Sequence, residues 1–164
     1  MSNQINVNNS ERFYTRTGLN IYTLELNTNL PLADPKQLVW TPLELQELNM
    51  TFLGSSGIVL GFTEPGMYSI TVHLNFRIGS TNSEVVEINT IMPFVNKGIF
   101  TDFSPATVDT VLPKTGNTYQ IESPLSYVGY FDYGEGVKIV CGKVSGSTVT
   151  VLSNGTELVV SKLY

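Results

Sequence analysis

Charged residues are scarce in this 164-residue sequence, and histidine, cysteine and tryptophan each occur only once. Charged side chains make up 14% of the chain, whereas about a quarter is usual for globular proteins. The nine Lys and Arg residues are scattered, and the formal net charge is −5. Because binding to phosphate groups or to an anionic membrane surface needs clustered basic residues, we expect neither nucleic acid nor a membrane as a partner.

The single cysteine excludes a disulfide bond within the chain. Cys141 alternates with Val137 and Ile139, which predicts a thiol on the core side of a strand. A chain without disulfides fits assembly in a reducing cytoplasm. Residues 1–6 have neither the positive nor the apolar segment of a secretory signal, and no apolar run reaches the length of a transmembrane helix. We therefore expect no secretory signal and no membrane span.

Catalytic and metal-binding residue types are equally sparse. His73 lies between Thr71 and Asn75 on one face of a predicted strand, and neither makes a persuasive catalytic pair with it. A zinc site needs three or four ligands, and one His with one Cys does not supply them. We expect no enzyme activity and no cofactor. Acidic residues in or near predicted loops leave calcium open, without the spacing of a calcium-binding loop; they are Asp102, Asp109, Asp132 and Glu135.

The most regular pattern in the sequence lies between Tyr68 and Ile78. Every second residue of this segment is apolar, and every residue between them is polar. This strict period of two predicts a half-buried antiparallel strand. The turn residues Glu64-Pro65-Gly66 precede it, and an apolar run at residues 58–60 precedes the turn, so we predict that the two strands form a hairpin.

Short strand patterns recur along the rest of the chain. About eight to ten strands are separated by turns rich in Gly, Pro, Asn and Ser, which indicates an all-β sandwich or barrel. Asn154-Gly155 predicts a two-residue hairpin before the last strand. The segment from Lys36 to Phe52, with Pro42 at a possible helix start, fits a helical turn or a strand. The other predicted strands cover residues 19–26, 84–94, 99–103, 107–112, 118–121, 127–131, 137–144, 148–152 and 157–164.

Composition also predicts the domain boundaries. Residues 1–10 are polar and rich in Asn, and Pro31 and Pro35 interrupt the chain after one short strand. We therefore predict an N-terminal attachment arm at residues 1–35 and a single globular domain at residues 36–164.

Three segments carry a family signature. The first is Phe62-Thr-Glu-Pro-Gly-Met-Tyr-Ser-Ile-Thr-Val, in which a Phe and a turn precede Gly-x-Tyr. The second is Phe131-Asp-Tyr-Gly-Glu-Gly-Val-Lys-Ile, and the third is Leu158-Val-Val-Ser-Lys-Leu-Tyr at the last strand. In this order they resemble the tumour necrosis factor and complement-q globular-head superfamily. The resemblance covers residues 38–164 and is strongest to head domains of phage or viral fibres and of bacterial collagen-like proteins.

The resemblance implies an antiparallel β-sandwich of jelly-roll topology and a tight homotrimer. The residues give a separate reason to expect a partner, because the adjacent pairs Val159-Val160 and Val85-Val86 each place one apolar side chain on each face of a strand. A neighbouring subunit would cover the face away from the core. A single thick core with scattered exposed apolar groups fits as well. The predicted interface residues are Tyr68, His73, Tyr127, Tyr130, Val159 and Tyr164.

These observations together favour a non-enzymatic structural protein of a virion. We expect a trimeric fibre head, spike or capsid-decoration knob that assembles in the host cytoplasm, with its arm docked on other virion proteins. Loops of the knob would contact a glycan or a protein of the host surface. The alternative is a cellular carbohydrate-binding or adhesion module, in which Trp40 or the tyrosines of the loops stack on a sugar ring. The other interpretation of Trp40 is a core residue.

Overall fold

A computed structural model of the chain describes residues 17–79, 85–97, 108–113, 119–146 and 148–164, with the backbone alone at residues 85, 108–113 and 119–124. The described part contains no helix of the length and apolarity that crossing a membrane requires. Its strands are β1 (Gly18–Leu24), β2 (Thr28–Leu30), β3 (Lys36–Gln37), β4 (Trp40–Gln46), β5 (Thr51–Phe52), β6 (Leu60–Gly61), β7 (Gly66–Gly79), β8 (Val85–Ile91), β9 (Phe94–Val95), β10 (Val108–Pro113), β11 (Tyr119–Phe131), β12 (Gly136–Val137), β13 (Val140–Ser145), β14 (Thr148–Val151) and β15 (Glu157–Lys162).

The large sheet is built around β7. Its strand order is β2-β14-β7-β15-β1-β4, and β11 lies along the other edge of β7. Two strands share the first edge, because β15 pairs with residues 68–73 and β14 with residues 76–79. The pairings are antiparallel, so the alternation of β7 directs one set of side chains into the core and the other set away from it.

Two smaller sheets complete the sandwich. One has the order β10-β8-β13-β3, and the other, made of very short strands, has the order β5-β6-β12-β9. Buried apolar side chains from all three sheets form one core cluster. The predicted antiparallel β-sandwich is therefore confirmed. The predicted inward face of β7 is confirmed as well, since the core includes Tyr68, Ile70, Val72, Leu74, Phe76 and Ile78.

The predicted hairpins are wrong, although the chain turns where its residues indicate. β6 pairs with β5 and β12, and β7 pairs with strands of the large sheet instead. Both β14 and β15 pair with β7, so Asn154 and Gly155 connect two stretches that follow the same edge of one strand. A turn sequence governs the backbone of a few residues, whereas the pairing partner depends on the hydrophobic pattern of the whole sheet.

β11 joins two predicted strands into one. The sequence predicts a break at Pro124, because proline has no N–H to donate to a strand ladder. In the described residues β11 pairs with β7 alone, which makes it an edge strand. The strand continues through Pro124 because an edge tolerates a missing N–H that faces away from the sheet.

The N-terminal boundary of the sandwich also differs from the predicted one. β1 lies between β15 and β4, and β2 pairs with β14, so residues 18–30 belong to the large sheet and not to an arm. Their partners β14 and β15 come from the end of the sequence, which local composition does not reveal. The segment that begins at Lys36 forms β3, β4 and β5, which decides for strands over a helical turn. Residues 1–16 of the predicted arm and the predicted strand at residues 99–103 lie outside the described residues.

Candidate interaction surface

The large sheet has a face that points away from the core, which we call the outer face. It is formed by β4, β1, β15, β7 and β11. Direct register between strands places its side chains in rows across the sheet. In the order β1, β15, β7, β11, one row holds Ile21, Val159, Thr71 and Ser126, and the next holds Leu19, Ser161, Ser69 and Val128.

The centre of the outer face is uncharged and partly apolar. The two rows contain no charged residue, and Met67 and Tyr130 pair beside them. Val128 is 54% exposed and Tyr130 is 50% exposed on the edge strand β11. Leu43 is also exposed, on β4 at the opposite edge. Because the cores of protein interfaces are depleted in charge and enriched in aromatic residues and Met, this face has the composition of a contact surface.

Ionisable side chains lie at one end of the outer face. His73 is exposed there and is directly opposite Glu157 on β15. Lys162 is not part of this face, because it is directly opposite the inward residue Tyr68, and its Nζ lies 2.9 Å from Glu64 Oε2. A charge introduced in the two uncharged rows would have no partner of opposite sign beside it there.

The structure brings some of the predicted interface residues together. Val159 and Tyr130 lie on the outer face, and His73 lies at its charged end. Tyr164 is exposed beyond the end of β15. Sequence reasoning missed Val128, although its even spacing from Tyr130 in the same strand places both side chains on one face.

Tyr68 is a core residue, which corrects its assignment to an interface. It is 2% exposed, and its ring centroid lies 4.6 Å from that of Phe62. Its hydroxyl donates a hydrogen bond to the carbonyl of Glu64 at 2.7 Å. Burial, with smaller contributions from Glu64 and Tyr130, raises the pKa of Tyr68 to about 12. Tyr68 lies on the inward face of β7, so its side chain cannot contact a partner subunit at the outer face.

Tyr127 also belongs to the inner side of the sheet. Its ring packs 4.8 Å from the ring of Phe94 and 6.2 Å from that of Phe131, measured between centroids. The reason is strand parity, because Tyr127 and Tyr130 are three positions apart in the strand and therefore point to opposite faces of β11. The aromatic run in the sequence is thus divided between core and surface.

Trp40 is buried as well, which removes it as a sugar-stacking platform. It is 2% exposed and pairs with Leu24 of β1. A stacking platform needs a ring face open to solvent, and a side chain so deeply buried has none to offer. The indole N–H has no hydrogen-bond partner among the described residues.

An aromatic cluster fills the core near the turn between β11 and β12. The ring of Phe131 stacks on Phe62 at a centroid distance of 4.1 Å and meets the edge of Phe94 at 5.3 Å. Lys97 covers it, with Nζ 4.6 Å from the centroid of the Phe131 ring. A cation over an aromatic face is attracted by the ring quadrupole. Lys97 therefore closes this end of the core.

The same lysine holds the turn that follows β11. Lys97 Nζ donates a hydrogen bond to the carbonyl of Tyr130 at 2.7 Å and lies 3.5 Å from Glu135 Oε2. The side chains of Lys97 and Glu135 are only 8% and 14% exposed. Glu135 also accepts a hydrogen bond from the backbone N–H of Asp132 at 2.8 Å. We call Lys97, Glu135 and the Tyr130 carbonyl the lysine clamp.

The described residues include no group of three or more His, Cys, Asp and Glu that could hold a metal ion. Of the calcium candidates, Glu135 is engaged by Lys97, and the side chains of Asp102 and Asp109 lie outside the described part of the chain. Cys141 is fully buried, which confirms the predicted core thiol. Burial raises the pKa of Cys141 to about 12, opposed in part by a contact with Thr90.

The fold is a jelly roll of the tumour necrosis factor type. Eiger TNF from S. frugiperda matches with a TM-score of 0.63 and 9% identity, over 92% of this chain and 94% of that one. Murine APRIL at pH 5.0 matches with a TM-score of 0.59 and 11% identity, over 88% and 97% of the two chains. No family model and no curated protein matches the sequence. The predicted jelly-roll topology and the predicted resemblance to the tumour necrosis factor superfamily are therefore confirmed at the level of the fold. These matches do not show the predicted closeness to phage or viral fibre heads.

Proposed function

We propose that this chain is a non-enzymatic head domain that forms a homotrimer through the outer face of its large sheet. The observation that carries the proposal is the uncharged, partly apolar outer face, on a sheet whose other face is already the core of the subunit. The TNF-like fold supports a head domain of this kind. The sequence resemblance to a family of homotrimers supports copies of the same chain as the cover.

The adjacent valines of β15 illustrate the physical reason. Val160 is fully buried in the core, whereas Val159 points to the outer face and is only partly covered. Complete burial of a Val, Leu or Ile side chain contributes about 1.5–3 kcal/mol. Several such side chains, including Ile21 and Val128, offset the loss of translational and rotational freedom when subunits associate. The outer face thus gains most from a partner that excludes water along its whole width.

A matched pair of substitutions tests the proposal. Val128→Glu places a carboxylate at the β11 end of an uncharged row of the outer face, where burial without a partner is costly. Val144 lies on β13, in another sheet, and is 51% exposed. Val144→Glu therefore introduces the same charge at a valine of similar exposure outside the outer face. Sedimentation equilibrium at micromolar concentration should give three times the 18.0 kDa of one chain for the natural sequence and for Val144→Glu. Val128→Glu should sediment as a monomer.

Two results would contradict the proposal in different ways. A mass of 18.0 kDa for the natural sequence across the concentration range would reject the trimer. A trimer that persists in Val128→Glu would reject the outer face as its contact and leave the oligomer itself standing.

The finer proposal is that this head belongs to a virion, as a fibre head, a spike or a capsid-decoration knob. It is supported by the low content of charge and by the polar, Asn-rich residues 1–10, which have the composition of an attachment arm. The arm would dock on other virion proteins, and loops such as the exposed turn at Tyr133 would face the host surface. Assembly would take place in the host cytoplasm.

Purified particles provide the test of the virion role. Antibodies against the head should detect it in particles banded on a density gradient, and removal of residues 1–10 should release the head without changing its oligomeric mass. Absence of the chain from the particles, together with binding to a glycan array, would favour the cellular adhesion module instead.

A further inference from the structure

The connection between β14 and β15 is held in place from two sides. Asn75 of β7 binds it three times: its carbonyl accepts from Leu152 N–H at 2.8 Å, its N–H donates to Thr156 Oγ1 at 2.9 Å, and its Nδ2 donates to the Asn154 carbonyl at 2.9 Å. From β1, Leu24 N–H donates to the Thr156 carbonyl at 3.2 Å. The backbone is thus fixed both at Asn154 and on either side of it.

The exposed dipeptide Asn154-Gly155 lies in this connection. It is the one Asn-Gly pair of the sequence. The side-chain carboxamide of Asn154 has no hydrogen bond within the described part of the chain, whereas the backbone carbonyl of Asn154 accepts one from Asn75. Gly155 has a φ of +89°, and a Cβ there would lie 2.9 Å from Asn75 Nδ2. Glycine is therefore required at this position, and without a side chain its amide nitrogen is sterically open.

We propose that Asn154 is a site of spontaneous deamidation. The backbone nitrogen of Gly155 attacks the side-chain carbon Cγ of Asn154, and a C–N bond forms as the carboxamide C–N bond breaks. The amide proton leaves with the NH₂ group as ammonia, and a cyclic imide remains. Water then adds to one of the two imide carbonyls and opens the ring. The products are aspartate, with the original main chain, and isoaspartate, in which the main chain runs through the former side chain.

The isoaspartate product conflicts with the way this connection is held. It adds one methylene to the main chain between Ser153 and Thr156, while Asn75 and Leu24 hold the backbone at distances set for the shorter path. Thr23 Oγ1 also donates to the Ser153 carbonyl at 3.2 Å, so the backbone directly before Asn154 is fixed as well. The modification therefore strains or breaks hydrogen bonds that join β7 and β1 to the connection.

Both products add a negative charge near the outer face. Asn154 lines a shallow surface depression of about 450 Å³ together with Leu43, Thr41 and the acidic residues Glu25 and Glu157. A further carboxylate beside two others is unfavourable. This part of the inference rests on the proposed homotrimer: modification should weaken association by adding repulsion and by disturbing the strands that carry the outer face.

Mass spectrometry of the intact natural chain, aged in mildly alkaline buffer and then digested, tests the chemistry. The peptide with Asn154 should gain the mass that replaces an amide by an acid, several-fold faster than the peptide with Asn49, which is also exposed but precedes Met50. Asn154→Gln should suppress the change, because the ring it would form is larger and closes more slowly. Equal rates at Asn154 and Asn49 would overturn the proposal.

A second comparison separates added charge from added main-chain length. Asn154→Asp carries the charge without the methylene, so aged natural protein rich in isoaspartate should unfold at a lower temperature than Asn154→Asp. Equal unfolding temperatures would overturn the argument from the fixed backbone. If the natural chain is a monomer, the mass gain at Asn154 still tests the modification, so its failure is distinguishable from failure of the proposed trimer.

Discussion

The two faces of β7 carry different chemistry on the same strand. The inward residues from Tyr68 to Ile78 are buried in a core that the chain completes by itself. The outward residues between them include the short polar Ser69 and Thr71 and the imidazole of His73. The rows of Ser69 and Thr71 continue into apolar residues on neighbouring strands that are partly or largely exposed. The difference shows that the single chain satisfies the hydrophobic pattern on one face of the sheet only.

β11 repeats this division in adjacent residues. Phe131 is fully buried against Phe62 and Phe94, whereas Tyr130 is half-exposed on the other face. Lys97 binds both positions, with its charge over the Phe131 ring and a hydrogen bond to the Tyr130 carbonyl. Side chains on the inner face should therefore govern folding, and those on the outer face should govern association.

The largest loss of stability is expected when a large side chain on the inner face is truncated. Phe131→Ala should lower the free energy of unfolding by about 3–5 kcal/mol, because it leaves a cavity among packed aromatic rings. Tyr130→Ala, one residue away on the outer face, should change it by no more than about 0.5 kcal/mol. Urea unfolding in the Val128→Glu background, which is designed to remove assembly, measures both. Similar losses for the two variants would break the comparison between the faces.

The lysine clamp should have an intermediate effect. Lys97→Met removes the positive charge that pairs with Glu135 and the hydrogen bond to the Tyr130 carbonyl. The free energy of unfolding should fall by about 1–3 kcal/mol, because Glu135 and the carbonyl stay largely buried without their partner. Glu135→Gln removes one charge only and should cost less. In a double-mutant cycle, the coupling between Lys97 and Glu135 should exceed about 0.5 kcal/mol. Strictly additive single and double variants would show that the ion pair does not hold the turn.

The effect that is smallest at neutral pH concerns the titration of the buried thiol. The pKa of Cys141 is raised from 9.0 to about 12, so above pH 9 the unfolded chain loses this proton while the folded chain keeps it. The free energy of unfolding should therefore fall as pH rises from 9 toward 12. Cys141→Ala should show a shallower decline, measured by chemical denaturation across that range. Parallel curves for the two proteins would mean that the thiol does not contribute to the pH dependence.

Much of the fold could be predicted from local sequence patterns. The alternation from Tyr68 to Ile78 predicted the central strand and its inward face, and the parity of Cys141 predicted a core thiol. Strand pairing was less accessible, as the wrong hairpins at β6 and at Asn154-Gly155 show. Pairing depends on contacts between residues far apart in sequence, and the pattern of one strand does not identify its neighbour.

The candidate surface was predicted only in part, for a similar reason. Val159 was found because it is adjacent to another valine, which places one apolar side chain on each face. Tyr68 and Tyr127 were assigned to an interface because of residue type, and their packing in the core overrode that preference. The burial of Trp40 agrees with its interpretation as a core residue and not with sugar stacking. Val128 was missed because a lone valine is uninformative until the register sets it beside Ser69.

The sequence by itself determined most of the longer strands, the positions of most turns and the inward face of the central strand, because these follow from side-chain periodicity and from the backbone preferences of Gly, Pro and Asn. Tertiary structure alone decided that β1 joins the large sheet, that Pro124 is accepted on an edge and that neutral side chains of β1, β15, β7 and β11 align into one outer face. These features depend on the register between distant segments. Register is set when all strands bury their apolar faces together, so no single segment specifies it.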